Sequence, residues 1–367
     1  MAKCKVLHVV SVSFSLKYFI GNQFIYFNEK GYDFTVSCSP SKDLFEYAEK
    51  MNFKTFPVNI SRSINPLQDI LSIYKLYRFI KKEKFDVVIS HSPKGGLIGM
   101  FASYFAKTPK RIFFRHGLVF ETLTGVKKQL MILVEKLIGF CSHKVVNVSY
   151  SIENLAIQLQ LNDVSKNIIL GKGTCNGIND NIFYPRPRTE FKDKTVVGFV
   201  GRMTKDKGIT ELINSLDYLN DYEDFLLLLI GPFDERDVLD DDIITKIKTH
   251  PKIKYLGEVK NTAYYYNQMD VFILPSYREG FPTVNLEAAS SSLPIITTMS
   301  TGCVDSIIEN ETGIFTEIDS ESIAKAIIFY LDNKEERIKH GLNGVKFVTE
   351  NFSESIIYNQ IEDKLLQ

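Results

Sequence analysis

Apolar residues along the chain fall into short dense runs, separated by longer stretches in which they recur every third or fourth position. Runs rich in Val, Ile, Leu and Phe at 5–10, 34–38, 54–58, 87–90, 112–114, 144–148 and 168–170 predict strands in the first half. A second set at 195–200, 225–230, 253–255, 271–274, 295–298 and 313–315 predicts strands in the second half. The stretches between them carry a helical period. In 66–82, Leu67, Ile70, Leu71, Tyr74 and Tyr77 line one face, and Lys75, Arg78, Lys81, Lys82 and Lys84 project mostly from the other. Alternating strands and helices are the pattern of parallel α/β sheets. The proline-bearing stretch 182–188 interrupts the alternation and reads as a linker, which predicts two doubly wound domains, 1–180 and 181–351. Facing each other, such domains would set the carboxyl ends of both sheets at one cleft, where sheets of this kind bind ligands.

The length of 367 residues exceeds what one core normally supports, in keeping with two domains. With 44% hydrophobic and 24% charged residues, the chain is neither disordered nor membrane-embedded in composition. Its five cysteines, Cys4, Cys38, Cys141, Cys175 and Cys303, are scattered and never spaced C-x-x-C, which predicts a reducing compartment and no zinc site. No run of about 18 apolar residues occurs. The start, residues 1–6, enters a strand without a signal-peptide core, so a cytoplasmic location is expected. The zero net charge conceals a division: residues 1–180 carry 24 Lys and Arg against 13 Asp and Glu, and the remainder 20 against 31. A basic first half suits an anionic membrane surface, with Lys81, Lys82, Lys84, Lys127 and Lys128 among the expected contacts, or an acceptor bearing phosphate; the alternative is a solvated surface whose charges happen to segregate. Nucleic acid is not expected, because no RNA- or DNA-binding fold signature accompanies the charge.

The run from Arg278 to Ala289 carries the sharpest chemistry. A strand ends, a tight loop bears Glu279, and a helix opening near Pro282 bears Glu287 eight positions on. The loop Gly280, Phe281, Pro282 and Thr283 presents the backbone N–H groups of Gly280, Phe281 and Thr283 to an anion, and the two carboxylates are acceptors for sugar hydroxyls. Upstream, Arg202 and Lys207 follow a strand ending in Gly201, where two cations can neutralise a leaving diphosphate. This is no P-loop, since the Gly-Lys-Ser/Thr ending is missing. His116 sits directly after a strand, between Arg115 and Gly117. Lys94, Gly95 and Gly96 at a helix start form either an anion site or plain turn chemistry. Asp240 and Asp242 make a D-x-D within an acidic run and read as a solvated helix start, so no catalytic metal is expected.

Together, the Glu279–Glu287 spacing, the 196–208 strand and basic loop, and Arg115-His116-Gly117 resemble the motifs of the retaining family 4 glycosyltransferases of GT-B fold. The resemblance covers nearly the whole chain. It implies that Glu279 meets hydroxyls of the donor sugar, Glu287 the ribose, Arg202 and Lys207 the diphosphate, and His116 the transferred sugar. It also implies that 352–367 pack back on the first domain, that Lys94 to Gly96 lie on the acceptor side, and that no cofactor is needed beyond a nucleotide-sugar donor. The pairing of His91-Ser92-Pro93-Lys94 with the His116 loop is most similar to bacterial capsule and O-antigen enzymes. A UDP-linked sugar of the N-acetylhexosamine type, a lipid-linked or glycan acceptor, and a peripheral place on the inner membrane face are therefore expected. Asn179 stands where the family has an acid, and Ser11 to Ser15 replace its Gly-Gly pair. Two alternatives remain at this point. UDP-N-acetylglucosamine 2-epimerases share the fold but lack the Gly-Phe-Pro-bearing loop, and a non-catalytic partner subunit would not need an intact set of His116, Arg202, Lys207, Glu279 and Glu287.

Overall fold

The computed structural model describes residues 4–61, 65–235 and 237–367; the chain start, residues 1–3, lies outside them. Its contacts define two compact units, one of residues up to 176 together with 355–367, the other of 177–354. In the first, strands β1 (Cys4–Val9), β2 (Tyr32–Ser37), β3 (Lys54–Thr55), β4 (Val87–His91), β5 (Lys110–Arg115), β6 (Lys144–Asn147) and β7 (Asn167–Ile168) form one sheet in the order β3-β2-β1-β4-β5-β6-β7. In the second, β8 (Thr195–Val200), β9 (Phe225–Ile230), β10 (Ile253–Gly257), β11 (Val271–Leu274), β12 (Ile295–Thr298) and β13 (Gly313–Thr316) run β10-β9-β8-β11-β12-β13. All pairings between these strands are parallel. Parallel strands are covered on both faces, which is why β9 reads Phe-Leu-Leu-Leu-Leu-Ile with no alternation. Every segment the pattern marked as a strand forms one.

Strand order reverses beside β1 and beside β8. Connections leaving the two neighbours at such a point pass to opposite faces of the sheet and leave a crevice at the strands' carboxyl ends.

The helices of the first unit are α1 (Leu16–Phe19), α2 (Gln23–Glu29), α3 (Lys42–Met51), α4 (Pro66–Glu83), α5 (Ser92–Phe105), α6 (Gly125–Cys141) and α7 (Tyr150–Gln158). Those of the second are α8 (Ile209–Asn214), α9 (Asp241–Thr249), α10 (Thr262–Tyr266), α11 (Thr283–Ser290), α12 (Ser320–Asp332) and α13 (Lys334–Asn351), and α14 (Glu354–Ile361) follows. Helix α4 starts as its sequence dictates: the Asn65 side chain accepts from the Gln68 N–H, and Pro66 occupies the first turn. Its facing differs from the expectation. Leu67, Ile70, Leu71 and Tyr74 are exposed, Leu67 to 78%, while Asp69, Ser72, Leu76 and Ile80 point inward. The inward face is apolar too, with Leu76 and Ile80 in the core and Ile73 and Tyr77 packed against it, and Asp69 on that face is matched by Lys94 of α5.

Gly95 and Gly96 of α5 take a different part from the one expected. A Cβ on Gly96 would lie 2.6 Å from the Phe113 ring and one on Gly95 3.0 Å from the Val9 carbonyl oxygen. Both are buried and bring α5 onto the sheet, and Lys94 pairs with Asp69.

Residues 182–188 are part of the second unit and not a free linker. The Arg186 N–H donates to Asn267, the Arg188 guanidinium pairs with Asp270, and the Phe183 carbonyl accepts from Ser290. The chain passes between units at 176–177 and again at 354–355. In the first unit the C-terminal segment is tied to α2 and β2: Tyr26 donates to Asn359 at 2.9 Å, Tyr32 to Glu362 at 3.2 Å, and Lys30 pairs with Glu362. No described helix is long and apolar enough to cross a membrane.

The most deeply buried charge is Arg115 at the end of β5. Its guanidinium donates to Glu135 of α6 at 2.9 Å, to Asn147 at 2.7 Å and to Asn162 at 3.0 Å, with Arg115 and Glu135 exposed by 0% and 1%. Burial pushes the Glu135 carboxyl up while the Arg115 charge holds it down. Removing one partner strands the other in a dry site. Glu135→Ala should therefore cost about 3–5 kcal/mol in urea unfolding, and Arg115→Met/Glu135→Leu should cost less than that single change; a double variant as unstable as Glu135→Ala would show that the Asn147 and Asn162 bonds dominate.

Candidate active site

In the second unit, β8 ends at Val200 and the chain turns through Arg202 into a short 3-10 turn, Lys205–Lys207. Gly208 then adopts φ 68°, and a Cβ there would sit 2.1 Å from the Pro275 carbonyl oxygen. That close approach places the loop after β8 against the loop after β11. The result is an ion pair between Lys207 and Glu279, residues 72 apart in sequence, each only about one-sixth exposed or less. The Glu279 N–H donates to the Thr301 carbonyl at 2.8 Å. Gly302, at φ 78°, would place a Cβ 2.6 Å from the Glu279 carbonyl oxygen, so the loop after β12 packs under the carboxylate's backbone.

Helix α11 opens at Thr283 with Pro282 as N-cap and no side-chain cap. Gly280, Phe281, Pro282 and Thr283 thus lie between Glu279 and the helix start, where uncapped amides attract negative charge. Glu287, one turn in, is half-buried and accepts from the Tyr266 hydroxyl at 2.8 Å. Burial pushes its carboxyl up to about 7, against the lowering effect of the Tyr266 hydrogen bond. Arg202 pairs with Asp234. Each cation of the expected basic pair is therefore held by a carboxylate, Lys207 by Glu279 and Arg202 by Asp234.

Asp234 and Tyr266 are contributions that sequence reasoning missed. Asp234 lies in the loop just past β9, at the carboxyl edge of the sheet, and that position was a usable signal. Tyr266 stands in a run of three tyrosines, Tyr264 to Tyr266, with nothing in the sequence to set it apart. Asp240 is the N-cap residue of α9 and pairs with Lys205 at 2.7 Å, and Asp242 lies in the first turn of the same helix. Asn179 donates to Glu354 at 2.8 Å, a bond that an aspartate in its place would turn into carboxylate repulsion.

In the first unit, His116 is the outer member of three linked imidazoles. His116 Nε2 lies 2.9 Å from His91 Nδ1, and His91 Nε2 lies 3.0 Å from His8 Nδ1. The His116 ring stacks on Phe19 with centroids 3.7 Å apart. Burial lowers His8 and His116 to about 3; His91 is lowered well below its ordinary value by burial and then by its two neighbours. Three neutral rings in one chain of N–H···N bonds must all donate in the same direction, so the tautomer of His116 is coupled to that of His8.

Two doubly wound parallel sheets, one in each unit, with the Lys207–Glu279 pair at the reversal point of the second, define an architecture of the GT-B type. Residues 180–347 match the family model "Glycosyl transferases group 1" and residues 5–151 the model "Glycosyl transferase 4-like". The chain is 32% identical, over 99% of its length and 97% of the relative's, to the capsular polysaccharide biosynthesis glycosyltransferase CapM of Staphylococcus aureus. It is 26% identical, over 86% of its length and 87% of the relative's, to the Escherichia coli UDP-Gal:alpha-D-GlcNAc-diphosphoundecaprenol alpha-1,3-galactosyltransferase. A crystal structure of a glycosyltransferase from Rickettsia africae superposes over 100% of both chains with a TM-score of 0.79 at 21% identity. The chain belongs to the family 4 glycosyltransferases.

Because the three histidines are neutral when folded and titrate near 6.5 when unfolded, the unfolded chain binds more protons below that pH. Their contribution is intact above about pH 6.5 and is lost as pH falls toward about 3. NMR titration from roughly pH 8 to 5 should find all three neutral throughout, with folding stability declining on the acid side. A half-titration of His116 near pH 6.5 would contradict the dry chain.

Proposed function

We propose that this glycosyltransferase moves a sugar, with retention and without a metal, from a UDP-linked donor of the N-acetylhexosamine type to a lipid-linked acceptor in surface polysaccharide synthesis. The single observation that carries the reading is the Lys207–Glu279 pair, which puts a cation and a hydroxyl acceptor side by side at a sheet's ligand-binding edge. In this reading Lys207 and Arg202 exchange their carboxylate partners for the donor's diphosphate. That stabilises the charge that grows on the leaving oxygen. Glu279, released, accepts hydrogen bonds from the sugar hydroxyls, Glu287 those of the ribose, and the amides at Gly280, Phe281 and Thr283 meet the phosphate. The bond between the anomeric carbon and the phosphate oxygen breaks, the acceptor oxygen bonds that carbon on the same face, and its proton passes to the departing phosphate oxygen. His116 is assigned a hydrogen bond to the transferred sugar. An imidazole held near pKa 3 is a poor base, which suits a reaction whose proton goes to phosphate.

Two names support the substrate class: the E. coli relative's specifies a UDP-sugar and a diphosphoundecaprenol acceptor, and the S. aureus relative's specifies capsular polysaccharide. The surplus of basic residues in 1–180, 24 against 13, supports a place at an anionic membrane surface.

Assayed in excess EDTA against a panel of UDP-sugars, Glu279→Gln should lower turnover by the equivalent of about 2–4 kcal/mol while the unfolding midpoint stays unchanged. Wild-type turnover in that variant, or activity abolished by EDTA and restored by Mg²⁺ or Mn²⁺, would overturn the assignment.

Donor binding should depend on the ionisation of Glu287, since only its carboxylate accepts from two ribose hydroxyls. With the carboxyl raised to about 7, affinity for the nucleotide sugar should rise as the group ionises. The gain should be about tenfold between roughly pH 6 and pH 8. Calorimetric titration of wild type and Glu287→Gln checks this: the variant should bind more weakly and without the slope, and an equal slope in both would exclude Glu287 as its source.

A further inference from the structure

Helices α4, α5 and α6 lie side by side, α5 between the other two. Helix α6 repeats the inversion seen in α4. Its Val126, Leu130, Leu133, Leu137 and Phe140 recur at helical spacing and are all exposed, Val126 to 85%, while Glu135 is buried on the inner side. Tyr104 and Phe105 add exposed apolar surface at the end of α5. A monomeric soluble protein rarely exposes a contiguous apolar patch of more than a few hundred Å², so a face with two such stripes calls for a covering partner.

The charges say which partner. These three helices carry three acids, and two of them are withdrawn: Asp69 pairs with Lys94, and Glu135 with Arg115. The third, Glu83, closes α4 and pairs with Lys5 at 3.9 Å. Six cations remain on or beside the apolar stripes, Lys75, Arg78, Lys81 and Lys82 on α4, which share its exposed side with Leu67, Ile70 and Leu71 instead of lying opposite them as expected, and Lys127 and Lys136 on α6. A protein interface depletes lysine, and a second copy of this face would set cation against cation. An anionic bilayer meets both features: leucines enter the boundary between headgroups and acyl chains, and long cationic side chains reach headgroup phosphates.

We propose that the outward face of α4 and α6 docks on an anionic phospholipid bilayer by inserting its apolar stripes, with the lysines selecting the lipid charge. This deepens the membrane placement of the proposed function, which rests on net charge alone, by naming a face and a mode. Binding by charge alone disappears in salt. Binding by insertion leaves a salt-resistant part.

Co-sedimentation of the full chain with phosphatidylglycerol-containing and with phosphatidylcholine-only vesicles tests it. The wild type should bind the anionic vesicles and keep part of that binding at about 1 M salt, where charges are screened within ~3 Å. The Leu130→Ser/Leu133→Ser/Leu137→Ser variant should lose the salt-resistant part, a drop of at least about tenfold. Lys81→Glu/Lys127→Glu/Lys136→Glu should lose the preference for anionic vesicles, since each cation contributes about fivefold near such a surface. Unchanged circular dichroism and unfolding midpoints, and unchanged transfer to a detergent-dispersed acceptor, keep the result separate from misfolding. Wild-type vesicle binding by the leucine variant overturns the proposal, as does a wild-type dimer in sedimentation velocity that this variant converts to monomer. Failure of the donor-site reading would appear instead as a fully active Glu279→Gln enzyme, with vesicle binding unaffected.

Discussion

The reversal of strand order beside β8 is the constraint from which the donor-side chemistry follows. Parallel strands require crossovers over the sheet faces, and at the β8–β11 boundary those crossovers diverge. The two loops left at the carboxyl edge there flank a crevice. Lys207 comes from one and Glu279 from the other, which is how residues 72 apart form one pair. The first unit repeats the arrangement. His8 lies on β1 and His91 ends β4, the strands flanking its own reversal, and His116 follows the next strand, β5. Both sets of titratable groups therefore hang from the same topological position in their respective sheets.

How far the sequence led depended on whether a feature was local. Continuous apolar runs identify buried parallel strands without reference to the rest of the chain, so β8, β9, β11 and β12 were legible from composition. The carboxylates of Glu279 and Glu287 were legible too, because strand, loop and helix lie within a dozen residues. The partners of those groups were not. Tyr266 reaches Glu287 only through the packing of α10, which leaves no mark on neighbouring residues, and Asp234, which reaches Arg202, is marked only by its place just past β9. For the same reason His8 gave no signal as a companion of His116, and His91 was marked only through the resemblance of the run it opens. Three separate strands bring them together, and an isolated histidine in an apolar strand has no distinguishing pattern.

Helical periodicity fixes the phase of an apolar stripe but not the direction in which it faces. In α4 the stripe with four large apolar residues lost to one containing Asp69 and Ser72, and in α6 the face with Glu135 turned inward. Hydrophobic transfer, at about 25 cal/mol per Å², also rewards the inward faces, which place Leu76, Ile80 and Ile138 in the core with Ile73, Tyr77 and Val134 packed against it. The ion pair each acid makes keeps its charge from being buried alone. A helix with apolar residues on more than one side can bury either, and tertiary partners decide.

The buried ionisable groups are the clearest departure from what packing alone would select. His8 sits among Phe24 and Phe34, and His91 stacks on Phe114, where a further phenyl ring would fill the space without desolvating a nitrogen. Glu287 pays a similar penalty in the opposite direction: burial opposes its ionised form as it opposes the protonated form of the histidines. Acid destabilises the first unit through its histidines, and rising pH destabilises the second through Glu287, whose proton the fold retains up to about 7. A fold selected for stability alone would carry neither. Groups held dry before any ligand arrives would need no further desolvation when it binds, as the proposed function asks of them. That coincidence of unfavourable burial with the carboxyl edges of the sheets is the physical reason to place chemistry there.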